Sequence, residues 1–195
     1  MIELGLSGFA AIVLAGGQAA RLGGADKASI EVGGRSLLDR ALDAVVDAGE
    51  VVVVGQQVPT ERPVTFVLED PRYGGPVAGL LTGRDSLLRR FPTLAVLAVD
   101  MPHLTSSTFR RLHEAAVGHE GAVLAGADGR TQLALVVETA RLDAVRPDRE
   151  GQHGMAMRAL LEPLDLVQVP SIGDEARDID TWSDLRDIAS EAEGH

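Results

Sequence analysis

The sequence predicts an α/β protein whose mostly parallel central sheet carries helices on both faces, and three observations lead there. Short aliphatic runs alternate with amphipathic stretches along the whole chain, the pattern of repeated βαβ units. Aromatic residues make up only 3% of the 195 residues while apolar residues make up 45%, so a core of ordinary size has to be aliphatic. No internal repeat, low-complexity tract or Pro/Gly/Ser-rich linker interrupts the pattern, so residues 1–195 are expected to form one domain around one core. Residues 1–8 are read as an N-terminal extension and 193–195 as a C-terminal tail.

The first strand is expected at residues 10–14, within an apolar run long enough for one buried strand that stops at a glycine-rich loop. Over 37–48, Leu37, Leu38, Ala41, Leu42, Val45 and Val46 recur at helical spacing. The aliphatic runs 51–54 and 65–68 give the next two strands, and 77–90 the next helix. The most hydrophobic run in the chain, 94–99, is a fourth strand, followed by a helix over 105–116 and strands over 122–124 and 133–137. Residues 145–157 are polar and punctuated by glycine, the character of a mobile cover over a site, with His153 able to close over an acceptor. A strand over 166–169 and a helix over 182–192, started by a Thr181-Trp182-Ser183-Asp184 capping box, complete the set.

A net charge of −11 argues against nonspecific binding to nucleic acid or to a membrane surface, both of which need a basic face. A nucleotide substrate stays compatible with it, because charges are screened over about 8 Å at physiological salt and a local cation cluster keeps its own potential. With so few aromatics, stacking platforms for bases are not expected. The absence of cysteine removes disulfides, thiolate chemistry and Cys-ligated metals, and points to the cytoplasm as the default compartment. Glu3 stands where a signal peptide would carry Lys or Arg, and no apolar run reaches the roughly 18 residues of a membrane span.

In an open α/β sheet ligands bind beyond the carboxyl ends of the strands, so polar residues just after apolar runs are the candidates. The first group is the loop Leu14-Ala15-Gly16-Gly17-Gln18-Ala19-Ala20-Arg21-Leu22-Gly23-Gly24-Ala25-Asp26-Lys27, whose glycines bring backbone N–H groups close to a ligand and whose Arg21 and Lys27 add cations. Lys27 is the only lysine in the chain, so a compact ammonium is wanted there or a surface lysine has survived by chance. The second group is Glu69-Asp70 with Gly75-Pro76-Val77-Ala78-Gly79, the third Asp100-Met101-Pro102, and the fourth Arg177-Asp178-Ile179-Asp180. Asp100, closing a buried strand, is either compensated by a divalent cation or is a turn aspartate accepting backbone N–H bonds. Asp180 is either a metal ligand or a helix cap. The loop accommodates neither G-x-G-x-x-G nor G-x-x-x-x-G-K-[ST].

What the loop does resemble is the signature L-A-G-G-x-x-x-R-[ML]-G-x-x-K of nucleotidyltransferases with a GT-A-like, Rossmann-like fold. With Leu22-Gly23 followed by Asp26-Lys27 it is similar to the molybdenum cofactor guanylyltransferase family, and the other three groups occur in that family's order and at about its spacings, over residues 9–190. The resemblance implies Mg²⁺-dependent transfer of GMP from GTP to the terminal phosphate of molybdopterin with release of pyrophosphate. It implies that Leu14, Ala15, Gly16 and Gly17 contact the nucleotide through their backbone, and that Arg21 and Lys27 hold the departing phosphates. Asp70 would lie by the base or ribose, Gly75 and Gly79 would let backbone approach the base, and Asp100, with Asp180, would bind the metal. Proteins that insert molybdenum or receive the product would be transient partners.

The chain departs from that pattern in having no asparagine, with Gly55-Gln56-Gln57 where the guanylyltransferases carry one after the second strand. CTP is therefore the competing donor, and another phosphorylated compound the competing acceptor. The histidines show no metal-ligand spacing and are read as surface residues, and Arg84, Arg89, Arg90, Arg110 and Arg111 as solvated helix faces.

Overall fold

The aliphatic run Phe9–Leu14 forms β1 at the heart of a seven-stranded sheet ordered β11-β9-β10-β8-β1-β6-β7. The computed structural model describes residues 8–16, 21–22, 25–179, 181 and 183–186, with backbone alone at 21, 22 and 25. The sheet is completed by β6 (Val51–Val54), β7 (Thr65–Val67), β8 (Thr93–Ala98), β9 (Gly121–Ala125), β10 (Thr131–Glu138) and β11 (Leu166–Pro170). Two short ladders, β2 (Arg21–Leu22) with β3 (Ala25–Asp26) and β4 (Glu31–Val32) with β5 (Arg35–Ser36), lie between β1 and the first helix. β1 pairs in parallel with β6 on one side and β8 on the other, β7 and β11 are also parallel to their neighbours, and β10 alone runs antiparallel to β8 and β9.

Period-two alternation sorts the strand side chains into two cores, one per face. Ala11, Val13, Val53 and Leu97 face α1 (Leu37–Ala44) and α3 (Ser106–Ala115), against Leu38, Leu42, Phe109 and Leu112. Ala10, Ile12, Val52, Val54 and Val96 face α2 (Pro76–Asp85), α4 (Thr139–Val145) and α6 (Met157–Leu161), against Leu80, Leu142 and Leu160. Helices thus cover both faces of a mostly parallel sheet, as the sequence predicts.

Helix starts follow their caps. The Ser36 hydroxyl accepts the Asp39 N–H at 3.0 Å, and Thr105 and Thr108 form a capping box at the start of α3. Helix ends depart from the predicted limits where distant side chains claim the backbone. α1 stops at Ala44, short of 48, because the carbonyls of Val45 and Ala48 accept the Arg62 guanidinium at 2.9 and 2.7 Å. α2 stops at Asp85, short of 90, because the Glu50 carboxylate takes the N–H groups of Leu88 and Arg89 at 2.6 and 3.1 Å. Arg89 therefore stands in a turn, over the Phe91 ring. Arg84, Arg110 and Arg111 are not merely solvated, since they pair with Asp143, Asp47 and Glu175 at 2.7, 3.1 and 2.8 Å. Residues 145–157 hold α5 (Arg149–Gln152) and the start of α6 in place of the irregular loop expected. Of the predicted last helix, 183–186 are helical and the rest lies outside the described residues.

Contact between α2 and the sheet depends on Gly83. A Cβ there would lie 2.7 Å from Ile12 Cγ2 and 3.0 Å from Val54 Cγ2, both on stiff β-branched side chains of the sheet. Alanine gains about 1 kcal/mol in helix propensity over glycine, whereas overpacking costs about 1–3 kcal/mol. Gly83→Ala is therefore expected to lower stability by about 1–2 kcal/mol in denaturant unfolding. A more stable variant would place α2 farther from β1 and β6.

Candidate active site

Parallel neighbours on both sides of β1 make its carboxyl end the point where strand order reverses, which opens a crevice there. At that end Ala15 N–H donates to the Val54 carbonyl at 2.9 Å, and the Leu14 carbonyl accepts Val99 N–H at 3.0 Å. Leu14 and Ala15 thus commit backbone groups to the sheet. Gly16 follows, exposed, and its amide has no acceptor among the described residues. A Cβ at Gly16 would meet the Val54 carbonyl oxygen at 3.2 Å and one at Gly55 the Ala15 carbonyl carbon at 3.0 Å, so two glycines let these chain ends cross. Gly17 lies outside the described residues, as does the side chain of Arg21.

The loop returns through the β2–β3 ladder to a 3-10 turn, Lys27–Ser29, capped by the Asp26 carboxylate on Ala28 N–H at 3.1 Å. That turn carries Lys27 inward, leaving it 2% exposed. An ammonium so deep needs a counter-charge. Nζ donates to Asp100 Oδ2 at 3.2 Å, and Asp100, two residues beyond β8, stays partly exposed. The chain's only lysine is therefore no surface remnant.

Lys27 and Asp100 border a cavity of about 430 Å³ together with Leu14, Gly16, Val54, Glu69, Tyr73, Gly75, Pro76, Gly79, Ala98, Val99 and Leu133. Gly75 caps α2 with φ 91°, in the left-handed region that favours glycine, and Pro76 occupies the first helical turn. Six residues singled out in the sequence, Leu14, Gly16, Lys27, Gly75, Gly79 and Asp100, border this one space.

Asp70 is not among them. Its carboxylate pairs with Arg149 at 2.6 Å and its N–H donates to the Thr82 hydroxyl at 3.0 Å, while its neighbour Glu69 borders the cavity. Both carboxylates lie beyond β7, which ends at Val67, and the Arg149 guanidinium holds that of Asp70. The Arg149 pair and a 2.8 Å bond from Gly154 N–H to the Gly74 carbonyl tie the 145–157 segment to the 70–74 turn, with His153 exposed beside it.

The fourth group reaches the site through the backbone. Ile179, fully buried, donates its N–H to the Asp100 carbonyl at 2.9 Å, which brings Asp178 to the end of β8. Asp180 lies outside the described residues. The segment is held by Glu175, which accepts Thr108 Oγ1 at 2.6 Å, Arg111 at 2.8 and 2.9 Å, and Ile172 N–H at 2.8 Å. Burial raises the Glu175 pKa, but the hydrogen bonds from Arg111, Thr108 and Ile172 outweigh it and hold the carboxyl below its ordinary range. Sequence reasoning passed over Glu175 because nothing local marks a partner 67 residues away.

The histidines take no part in the site geometry described. His113 packs its ring against Phe9 at a centroid distance of 4.5 Å, and burial pushes its pKa down, so it is not the surface residue expected. His119 meets Asp165 at 2.8 Å on the surface. Among the described residues no three His, Asp or Glu side chains gather to hold a metal ion, so a metal here would draw its remaining ligands from substrate and water.

Residues 11–169 match the model of the MobA-like NTP transferase domain. A molybdenum cofactor guanylyltransferase of Rhodopseudomonas palustris (strain BisB5) is 33% identical over 141 residues, 68% of this chain and 67% of that protein. Another of that name from Mesorhizobium japonicum is 38% identical over 129 residues, 62% of each chain. The matched stretches thus span 62–67% of these two relatives. Among solved structures, the molybdopterin-guanine dinucleotide biosynthesis protein A of Archaeoglobus fulgidus superposes with a TM-score of 0.69 at 19% identity, over 96% of this chain and 100% of that one. The chain belongs to the MobA-like NTP transferase family and is a nucleotidyltransferase.

Proposed function

We propose that this protein transfers GMP from GTP to the terminal phosphate of molybdopterin, releasing pyrophosphate. The observation that carries the reading is the buried Lys27 meeting Asp100 on the cavity wall at the strand-order reversal, beside the Gly16 amide, which has no acceptor among the described residues. The names of the relatives support the acceptor and the donor.

In the proposed reaction an acceptor phosphate oxygen attacks the α-phosphorus of GTP, and the bond from that phosphorus to the bridging oxygen breaks as pyrophosphate leaves. Such chemistry needs positioning and charge neutralisation rather than a protein nucleophile. Lys27, with Arg21, holds the departing phosphates, and Gly16, with Gly17, presents amides to the same oxygens. The carboxylate of Asp100 is a hard oxygen donor at the cavity wall, which suits Mg²⁺ bound through one or two carboxylates plus phosphate oxygens, with Asp180 as the second. When bound, that ion neutralises charge on the phosphates. Gly75 and Gly79 leave room for the base at the α2 end, and Glu69 takes the place by the base that Asp70 was expected to fill.

Ligand-linked stabilisation tests the donor, since binding at a hundredfold excess over Kd adds about 2.7 kcal/mol to the folded state. With Mg²⁺ present, GTP is expected to raise the melting temperature more than CTP or ATP does. An equal or larger shift with CTP overturns the guanine assignment, and pyrophosphate release with molybdopterin against each nucleoside triphosphate tests the reaction.

A further inference from the structure

Tyr73 differs from the other residues that border the cavity. It is the chain's one tyrosine, and among the described residues the one non-glycine residue with positive φ, at 59°. L-residues are disfavoured there because Cβ crowds the backbone, and such strain persists only where surroundings over-determine it, typically at ligand clamps.

The surroundings do over-determine it. Tyr73 N–H donates to Glu69 Oε1 at 2.7 Å, Gly74 N–H donates to the Pro71 carbonyl at 3.0 Å, and the Gly74 carbonyl accepts Gly154 N–H at 2.8 Å. Gly74 cannot be replaced in this turn, since a Cβ would lie 2.6 Å from Ala78 Cβ and 2.8 Å from the Pro71 carbonyl oxygen. With its backbone locked, the residue nevertheless stays 61% exposed. Folding gains little from an aromatic ring left in water, so packing within the free protein does not account for the strained turn.

What the ring borders does account for it. Beside Tyr73 the cavity wall carries Gly75, Pro76 and Gly79 with one carboxylate, that of Glu69, while Lys27 and Asp100 supply further charges on the same wall. A Cβ at Gly75 would meet nothing within 4 Å, so the space beside the ring is open at the start of α2. We propose that Tyr73 is the stacking platform for the nucleobase of the donor nucleotide, an inference that rests on the reading of this cavity as the nucleotide site. Stacking is tolerant of base identity, so Tyr73 contributes affinity and orientation for any base, and hydrogen-bonding groups set the choice among bases.

The test is calorimetric titration of GTP, CTP and inorganic triphosphate, with Mg²⁺, into the full-length wild type and the Tyr73→Phe, Tyr73→Ala and Tyr73→Gly variants. For whichever nucleotide binds the wild type, Kd is expected to rise about tenfold in the Ala and Gly variants and to stay within about twofold in Phe. Triphosphate, which has no ring, is expected to bind all four proteins alike. Tyr73→Gly is also expected to melt no lower than the wild type, because glycine adopts this φ without strain, whereas a purely structural ring would lower it. Unchanged nucleotide affinity in Tyr73→Ala, or equal losses for nucleotide and triphosphate, overturns the stacking role while the nucleotide site stands. Failure of the wild type to bind either nucleotide overturns the site reading and the stacking role together.

Discussion

Lys27→Met is expected to lower nucleotidyl transfer by about two to three orders of magnitude, the loss that follows removal of one preorganised charge-stabilising donor. The size of the effect comes from burial. At 2% exposure the ammonium acts where water screens it little, and the 3-10 turn and Asp100 fix its position before substrate arrives. Methionine keeps the volume and removes a buried ammonium whose desolvation opposes folding, while the Asp100 carboxylate left behind is partly exposed to water. The melting temperature should therefore stay within a few degrees while pyrophosphate release collapses. Lys27→Arg should not rescue it, because a planar fork does not replace a compact ammonium in a closed space. Wild-type turnover in Lys27→Met would remove this residue from the reaction.

Glu175→Ala is expected to cost about 3–4 kcal/mol of folding stability, because the buried Thr108 hydroxyl and the Ile172 N–H are left without their acceptor at about 1–3 kcal/mol each. For a chain of this size that is a fall of about 6–16 °C in melting temperature. Arg111 and the fully buried Thr108 would lose their acceptor, and the Ile172 N–H would lose its own. The variant should also lose transfer activity beyond what unfolding explains, because the same segment carries Ile179 to the Asp100 carbonyl. Its pH dependence has a defined sign. The folded-state pKa of Glu175 lies below that of the unfolded chain, so its contribution is complete above about pH 4.3, the unfolded value, and is lost as pH falls through the lower folded one. The stability gap between wild type and Glu175→Gln, measured by denaturant unfolding, should be constant near neutrality and shrink as the solution is acidified below about pH 4. A gap that widens on acidification would mean that Glu175 is protonated in the fold.

Local rules carried a good part of the site. Leu14 ends β1, Gly16 and Asp100 follow β1 and β8, and Gly75 and Gly79 stand at the start of α2, and parallel strands deliver their carboxyl ends to one edge, so these residues arrive at one cavity, which Lys27 enters from its 3-10 turn. Rules of this kind fail where neighbours in sequence face opposite ways. Glu69 and Asp70 are adjacent, yet one borders the cavity and the other pairs with Arg149, a choice made by a partner 79 residues on. An aromatic share of 3% argues against stacking in general, but composition says nothing of where the one tyrosine stands.

The chain's own sequence determined what short-range physics determines: an aliphatic alternation that makes strands and helices, caps at Ser36 and Thr105 that start helices, and a glycine loop that ends β1 beside a lone lysine. Tertiary structure alone decided where helices stop, which of two carboxylates faces the crevice, that Lys27 is buried against Asp100, and that Glu175 anchors the segment behind it. The division has one physical cause. Periodicity, capping and turn preference act within a few residues, whereas a buried charge or a truncated helix is set by groups that meet only when strands distant in sequence lie side by side.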